Sequence, residues 1–213
     1  MIEYDRRQQL AIFLRPPRLG RVKSRLAAGI GWVEATRFFR ANVAALVRRL
    51  GRDPRWRISL WLDTPRPSQI SIAPGLTTGV AKNVSRYTQG PGDLGARMAR
   101  TFARLPPGRV VLIGSDIPDI EPCHIARTFK ALERYDAVLG PAADGGYWLV
   151  GLRGRARRAG ARRGGVFCQV RWSSAFALAD QLRNLKDFRV GLLDVLADID
   201  TPDDYARWRR ARR

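Results

Sequence analysis

Two kinds of apolar pattern alternate along the chain. Short runs that are apolar at nearly every position read as strands buried on both faces: LAIFL (10–14), RISLWLD (57–63), VVLIG (110–114), DAVLG (136–140), YWLVGL (147–152) and FRVGLLD (188–194). VAKNVSRY (80–87) reads as a further, more polar strand. Between the runs, apolar residues recur at helical spacing. Residues 32–50 place Val33, Phe38, Val43, Leu46 and Leu50 on a helix, and Gly51 supplies the stop. Residues 93–105 place Leu94, Met98, Phe102 and Leu105 on one side. Further helices are expected at 121–134, with Pro122 in the first turn, and at 173–185. A last helix begins near Thr201.

This alternation predicts an α/β fold, a three-layer sandwich with a mostly parallel central sheet covered by helices on both faces. The length of 213 residues suits one domain over 1–213. In such sheets ligands sit beyond the carboxyl ends of the strands, which directs attention to the residues just after each apolar run.

Composition narrows the chemistry. Cys123, Cys168 and His124 are the whole supply of Cys and His, too few for an ordinary zinc site, and the two cysteines are expected to be reduced and structural. His124 falls inside a predicted helix, which argues against a histidine-based triad. A metal, if used, is then a hard cation on oxygen ligands, with Mg2+ the first choice and Mn2+ the second. The sequence has no apolar stretch near the ~18 residues of a membrane span. Residues 1–10 lack a secretory layout, and a cytoplasmic protein is expected.

Lys and Arg number 39 against 19 Asp and Glu, for a formal net charge of +20. The excess concentrates in RGRARRAGARR (153–163) and in a basic tail at 207–213. Such charge suits nucleic acid, anionic lipid or solvated faces. No nucleic-acid-binding motif accompanies it, so solvated faces are favoured and nucleic acid is left open. Residues 153–165 read as a mobile Arg/Gly-rich insertion.

The strand ends carry the candidate chemistry. RPPRLGRVKSRL (15–26) follows the first strand and crowds Arg15, Arg18, Arg21, Lys23 and Arg25 into one loop, with Gly20 allowing a sharp turn. Arg forks and a Lys point charge suit a polyphosphate, and Ser24 could cap a short helix there. The alternative is a solvated basic loop. Asp116 directly follows VVLIGS, where an unpaired acid is costly unless a cation or hydrogen bonds compensate it. Asp119 is read as a cap for the next helix. In DIDTPDDY (198–205), Thr201 is the expected N-cap and Asp203 and Asp204 are first-turn acids. Asp198 and Asp200 precede the cap and point the same way if extended, so they could meet Asp116 around a metal. Asp144, Gly145 and Gly146 suit a hairpin turn or a ligand-facing segment equally. Gly92 and Asp93 start a helix with Arg97 one turn on; Asp93 is a capping residue, and an anion or a base would account for the glycines.

In this order, GRVKSRL, QGPGDLGARM, LIGSDIPDI, GPAADGGYWLVGL, VFCQVRWSS and DIDTPDD resemble the radical-SAM-associated transferase family of glycosyltransferase-like proteins. That group is similar to phospholactate and molybdenum-cofactor guanylyltransferases of the nucleotide-diphospho-sugar transferase (GT-A) fold. The match runs from about Leu10 to Tyr205. Ser24, Leu19 and Ser174 depart from the usual threonine, proline and threonine, and the opening GxGTRxxPxxKP is missing in its full form. The resemblance implies that Lys23 and Arg25 contact nucleotide phosphates. It implies Asp116 as a metal ligand with Asp198 or Asp200 as its partner, and the Asp144 segment facing the acceptor.

These readings converge on a magnesium-dependent transferase that moves the nucleotidyl group of a nucleoside triphosphate to a phosphate or hydroxyl acceptor and releases pyrophosphate, with Lys23 and Asp116 as catalytic residues. Glycosyl transfer from a nucleotide sugar and a non-enzymatic polyanion-binding module are the alternatives.

Overall fold

The computed structural model describes residues 8–64, 84–162 and 164–212. Seven strands form one sheet: β1 (Gln8–Leu14), β2 (Trp56–Leu62), β3 (Ser85–Thr88), β4 (Val110–Ile113), β5 (Ala137–Pro141), β6 (Tyr147–Leu152) and β7 (Val190–Leu192), in the order β3-β2-β1-β4-β6-β5-β7. All neighbours run parallel except that β6 is antiparallel to both β4 and β5. The expected hairpin at 136–152 is therefore present. Of the strand expected at 80–87, residues 80–83 lie outside the described residues, and β3 runs from Ser85 to Thr88.

Alternate residues of the strands face opposite layers. Leu10, Ile12 and Leu14 pack against Phe39, Val43, Leu46 and Leu50 of α2 (Trp32–Gly51), and against Ile125 and Phe129 of α4 (Pro122–Ala131). Ala11 and Phe13 face Met98 and Phe102 of α3 (Leu94–Arg104) and Ala156 of α5 (Gly154–Gly160). The period of two explains why β1 is apolar throughout: both of its faces are core. Each fully buried Leu, Ile or Phe in these layers contributes about 1.5–3 kcal/mol relative to exposure. α6 (Ala177–Asn184) adds to the second layer through Leu178 and Leu182.

A third, smaller cluster joins the first helix to the last. Leu26 and Ala27 of α1 (Ser24–Ile30) meet Ala35 and Phe38 of α2, Ile199, and Tyr205 and Trp208 of α7 (Pro202–Arg210). Phe38 meets both aromatic rings edge-on, at centroid distances of 5.1 and 5.2 Å. A Cβ at Gly29 would collide with the Pro202 ring, so this glycine lets the two helices close up.

Three local expectations are corrected. Ser24 is not the cap of α1 but its first residue. The N-cap is Lys23, in the left-handed region at φ 53, and no side chain caps the helix. Asp119 does not cap α4. Glu121 does, in a capping box with His124, while Asp119 pairs with Arg212 at 2.9 Å. Residues 153–165, read from composition as mobile, carry α5, where Ala156 and Gly160 are buried and Arg157 donates to the α3 carbonyls of Phe102 and Leu105. Helical packing and carbonyl capping absorb the arginine that composition read as disorder. Both cysteines are free. Among the described residues, no helix is long and apolar enough to cross a membrane.

Candidate functional site

β1 pairs with β2 on one side and β4 on the other, all three parallel, so connections leave in opposite directions from β1. A crevice opens at the carboxyl ends of such strands. A cavity of ≈ 430 Å³ lies there, between Arg15 after β1, Asp63 after β2 and Asp116 after β4. Lys23, Arg97, Asp198 and Asp200 also line it.

The loop carrying Asp116 is held from behind. The buried Asn42 of α2 donates to the Ser115 carbonyl at 3.0 Å. Arg49 of the same helix donates to the carbonyls of Pro118 and Ile120, at 2.7 and 2.6 Å. These bonds satisfy the loop's backbone and leave the Asp116 carboxylate turned toward the cavity. Asp200 is fixed differently. Its N–H, with that of Thr201, donates to the Asp204 carboxylate at 3.2 and 2.8 Å, in the capping box that starts α7.

Lys23 joins these two acids. Its Nζ stands 2.9 Å from Asp116 Oδ1 and 3.3 Å from Asp200 Oδ1, and its side chain is only 4% exposed. The aspartate side chains keep 54% and 34% exposure. Arg25 reaches Asp200 from outside at 3.5 Å. The left-handed backbone at Lys23 costs about 1–2 kcal/mol for a residue with a Cβ, and the two ion pairs help to offset it.

Asp198 lines the same cavity, half-buried. Burial pushes its carboxyl above the usual carboxylate range; Lys23 opposes the rise, and Asp200, Asp144 and Asp116 add to it. The cage expected from Asp116, Asp198 and Asp200 is thus not assembled. Among the described residues no three His, Cys, Asp or Glu side chains gather at ligand spacing. Two carboxylates do focus on one cationic point, the Lys23 ammonium, which stands in for an ion. That donor set of hard oxygens fits a divalent cation at Asp116 and Asp200.

Toward β2 the cavity has a second polar wall. Asp63 pairs with Arg97 at 3.0 Å and with Arg15 at 3.7 Å. Gln89 lies beside them and donates to the Trp61 carbonyl at 2.9 Å. Asp63 and Gln89 were not expected. The signal was present, because Asp63 follows the second apolar run just as Asp116 follows a later one. Tyr147 also lines the crevice. Burial pushes its phenol well above the ordinary value, so it stays protonated beside the Gln181 side-chain oxygen at 3.0 Å.

Other expected residues have local structural roles. Asp93 caps α3 by accepting from Ala96 N–H at 2.8 Å. Asp144 accepts from Gly146 N–H at 2.9 Å within the hairpin turn. Gly145, at φ 86, lies so close to Ala175 that a Cβ would strike its backbone. Gly20 and Gly92 have positive φ and supply turns, and Ser24 is exposed at the first turn of α1. Gly20, Ser24, Arg25, Gly92, Asp93, Asp144, Gly145 and Gly146 flank the cavity lining rather than forming it.

The sequence profile of the family described as "Uncharacterized protein conserved in bacteria (DUF2064)" matches residues 46–174, more than half of the chain, and the chain belongs to that family. No curated protein matches it in sequence. Among solved structures, a protein from Desulfovibrio desulfuricans G20, provisionally named a nucleotide-diphospho-sugar transferase, is 26% identical with a TM-score of 0.82, over 97% of this chain and 87% of that one. The 4-diphosphocytidyl-2C-methyl-D-erythritol synthase of Anaerococcus prevotii DSM 20548 is 12% identical at TM-score 0.63, over 98% and 99%. The glucosyl-3-phosphoglycerate synthase of Mycobacterium tuberculosis, solved with Mn2+, UDP and glucosyl-3-phosphoglycerate, is 9% identical at TM-score 0.56, over 95% and 75%. The fold is that of the nucleotide-diphospho-sugar transferases, and the likeness to the Desulfovibrio desulfuricans protein bears out the expectation of a transferase.

Proposed function

We propose that this member of the family transfers a nucleotidyl group: an acceptor phosphate or hydroxyl oxygen attacks the α-phosphorus of a nucleoside triphosphate, and pyrophosphate leaves. The observation that carries this reading is the meeting of Lys23, Asp116 and Asp200 in the crevice beyond β1 and β4. Arg15 and Lys23 are cations on the phosphate side, where a fork and a point charge hold anionic oxygens before and after the bond to phosphorus breaks. Phosphoryl transfer needs positioning and charge stabilisation more than a protein nucleophile, which suits a crevice without a Cys or His in its lining. Asp63 and Arg97 offer paired acceptors and donors to the base. A divalent cation held by Asp116 and Asp200, with Asp198 adjacent, would neutralise charge on the phosphoryl oxygens. Mg2+ is the first choice. The narrower kinship with radical-SAM-associated transferases belongs to the same proposal.

Glycosyl transfer from a nucleotide sugar is the second reading, supported by the neighbour that holds UDP and Mn2+. Thermal shift across nucleotides and nucleotide sugars, with and without Mg2+, finds the ligand, since binding to the native state raises Tm. Product analysis then separates the readings: pyrophosphate release supports the first, nucleoside diphosphate release the second. Lys23→Ala and Asp116→Ala are each expected to weaken nucleotide affinity at least about tenfold, or 1.4 kcal/mol. Unchanged affinity in both variants rejects the site.

A further inference from the structure

Lys23 is a buried cation of an unusual kind. Its side chain is 4% exposed, yet its two partners are more open to solvent than it is. A buried ammonium needs close acceptors, and this one has a carboxylate from each of two distant parts of the chain. The carboxylates need it less, because each keeps oxygens accessible to the cavity. The nitrogen therefore stands on the ground where a divalent ion would have to sit to bind both acids. Like charges exclude one another there.

The local backbone allows exchange. The Lys23 carbonyl accepts from Ala27 N–H at 2.8 Å, which anchors the residue at the start of α1, while a flexible four-carbon stem carries the charge. Arg15 and Arg25 stand nearby with side chains 71% and 78% exposed, so an incoming anion meets them first.

We propose that the Lys23 ammonium is a resident cation that competes with divalent metal for Asp116 and Asp200, and that phosphate oxygens, by drawing the ammonium away, ease the release of the pair to metal. The consequence is coupling: metal alone binds weakly, and polyphosphate and metal favour each other's binding on the protein. The proposal rests on the nucleotide reading for its biological sense, but its tests contain no nucleotide. A failed nucleotide screen and a failed Lys23 test are therefore distinguishable.

The primary measurement is Mn2+ binding to the full chain without nucleotide, followed by loss of the free-ion electron paramagnetic resonance signal. Lys23→Met keeps most of the side-chain volume and removes the charge. It is expected to bind Mn2+ at least about tenfold more tightly than wild type, equivalent to 1.4 kcal/mol. Equal or weaker binding by a folded Lys23→Met protein overturns the proposal. Should the variant fail to fold, acetylation of wild-type lysines, read by mass spectrometry, decides instead. Lys130 and Lys186 are exposed and serve as internal references. Millimolar Mn2+ is expected to raise Lys23 labelling severalfold relative to those two. Unchanged relative labelling overturns the proposal.

Discussion

Two acid–base clusters in this protein are mirror images in their burial. In one, the Asp180 carboxylate is 2% exposed and its partners, Arg171 and Arg183, are 55% and 68% exposed. Arg171 grips it with both arms at 2.8 Å and with its backbone N–H at 3.1 Å. Those hydrogen bonds hold the carboxyl far below the usual range. Both carboxylate oxygens are bound, and none of the three residues lines the crevice. In the other, the cation is buried and the two acids are open. The difference separates a clasp from a site: the first exhausts its hydrogen-bonding capacity internally, whereas the second keeps acceptors in reserve. The clasp also serves the crevice, because it fixes the loop that carries Ser173, a cavity residue held at φ 59.

Substitutions that act on one cluster at a time test this contrast. The largest effect is expected from Asp116→Asn, which should lower turnover by about 10²–10³-fold while lowering Tm by less than Asp180→Asn does. A collapse of Tm instead would make the open cluster structural too. Asp180→Asn should do the opposite, lowering Tm by several degrees with nucleotide affinity changed far less. Its sign with pH is fixed by the depressed carboxyl. The Asp180 contribution is complete above the unfolded value of about 3.9 and is lost as pH falls below it, so the gap between variant and wild type should narrow in acid melts. Gly145→Ala should follow, at about 1–3 kcal/mol in denaturant unfolding, through its positive φ and its collision with Ala175. The smallest effect belongs to Asp198→Asn in metal-free buffer. Burial disfavours the charged form of Asp198. Removing the charge should therefore raise Tm slightly, and the gain should grow as pH rises from about 4. A loss there would mean that Asp198 is paired as firmly as Asp180.

What could be read from the chain alone follows the range of the forces involved. The α7 cap was legible because Thr201, Pro202 and Asp204 act within four residues of each other. The layering was legible because strands such as β1 are apolar on both faces, which only a covered sheet permits. Lys23 was legible as a basic residue in a phosphate-type loop, but not as the partner of Asp116 and Asp200. That pairing spans 93 and 177 positions and depends on how α1 lies against α7. The cap of α4 went to Glu121 rather than Asp119 because His124 completes the box, a pairing that residue preference alone does not disclose. Asp63 ends its strand as Asp116 does, and its place in the crevice depends on pairing with Arg97, 34 positions away, and Arg15, 48 positions away, which the local pattern does not disclose.

α7 has no fully buried residue, and the buried Trp208 indole N–H has no acceptor. The box at its start nevertheless fixes Asp200, while Asp116 hangs on the much better packed α2. Elements with so little burial are the first to open as a molecule warms. Heat inactivation should then precede global melting, with amides of the last helix exchanging hydrogen well before those of the sheet. The temperature range over which this protein works is then expected to be set by the seat of one short helix on Phe38 rather than by the strength of its core.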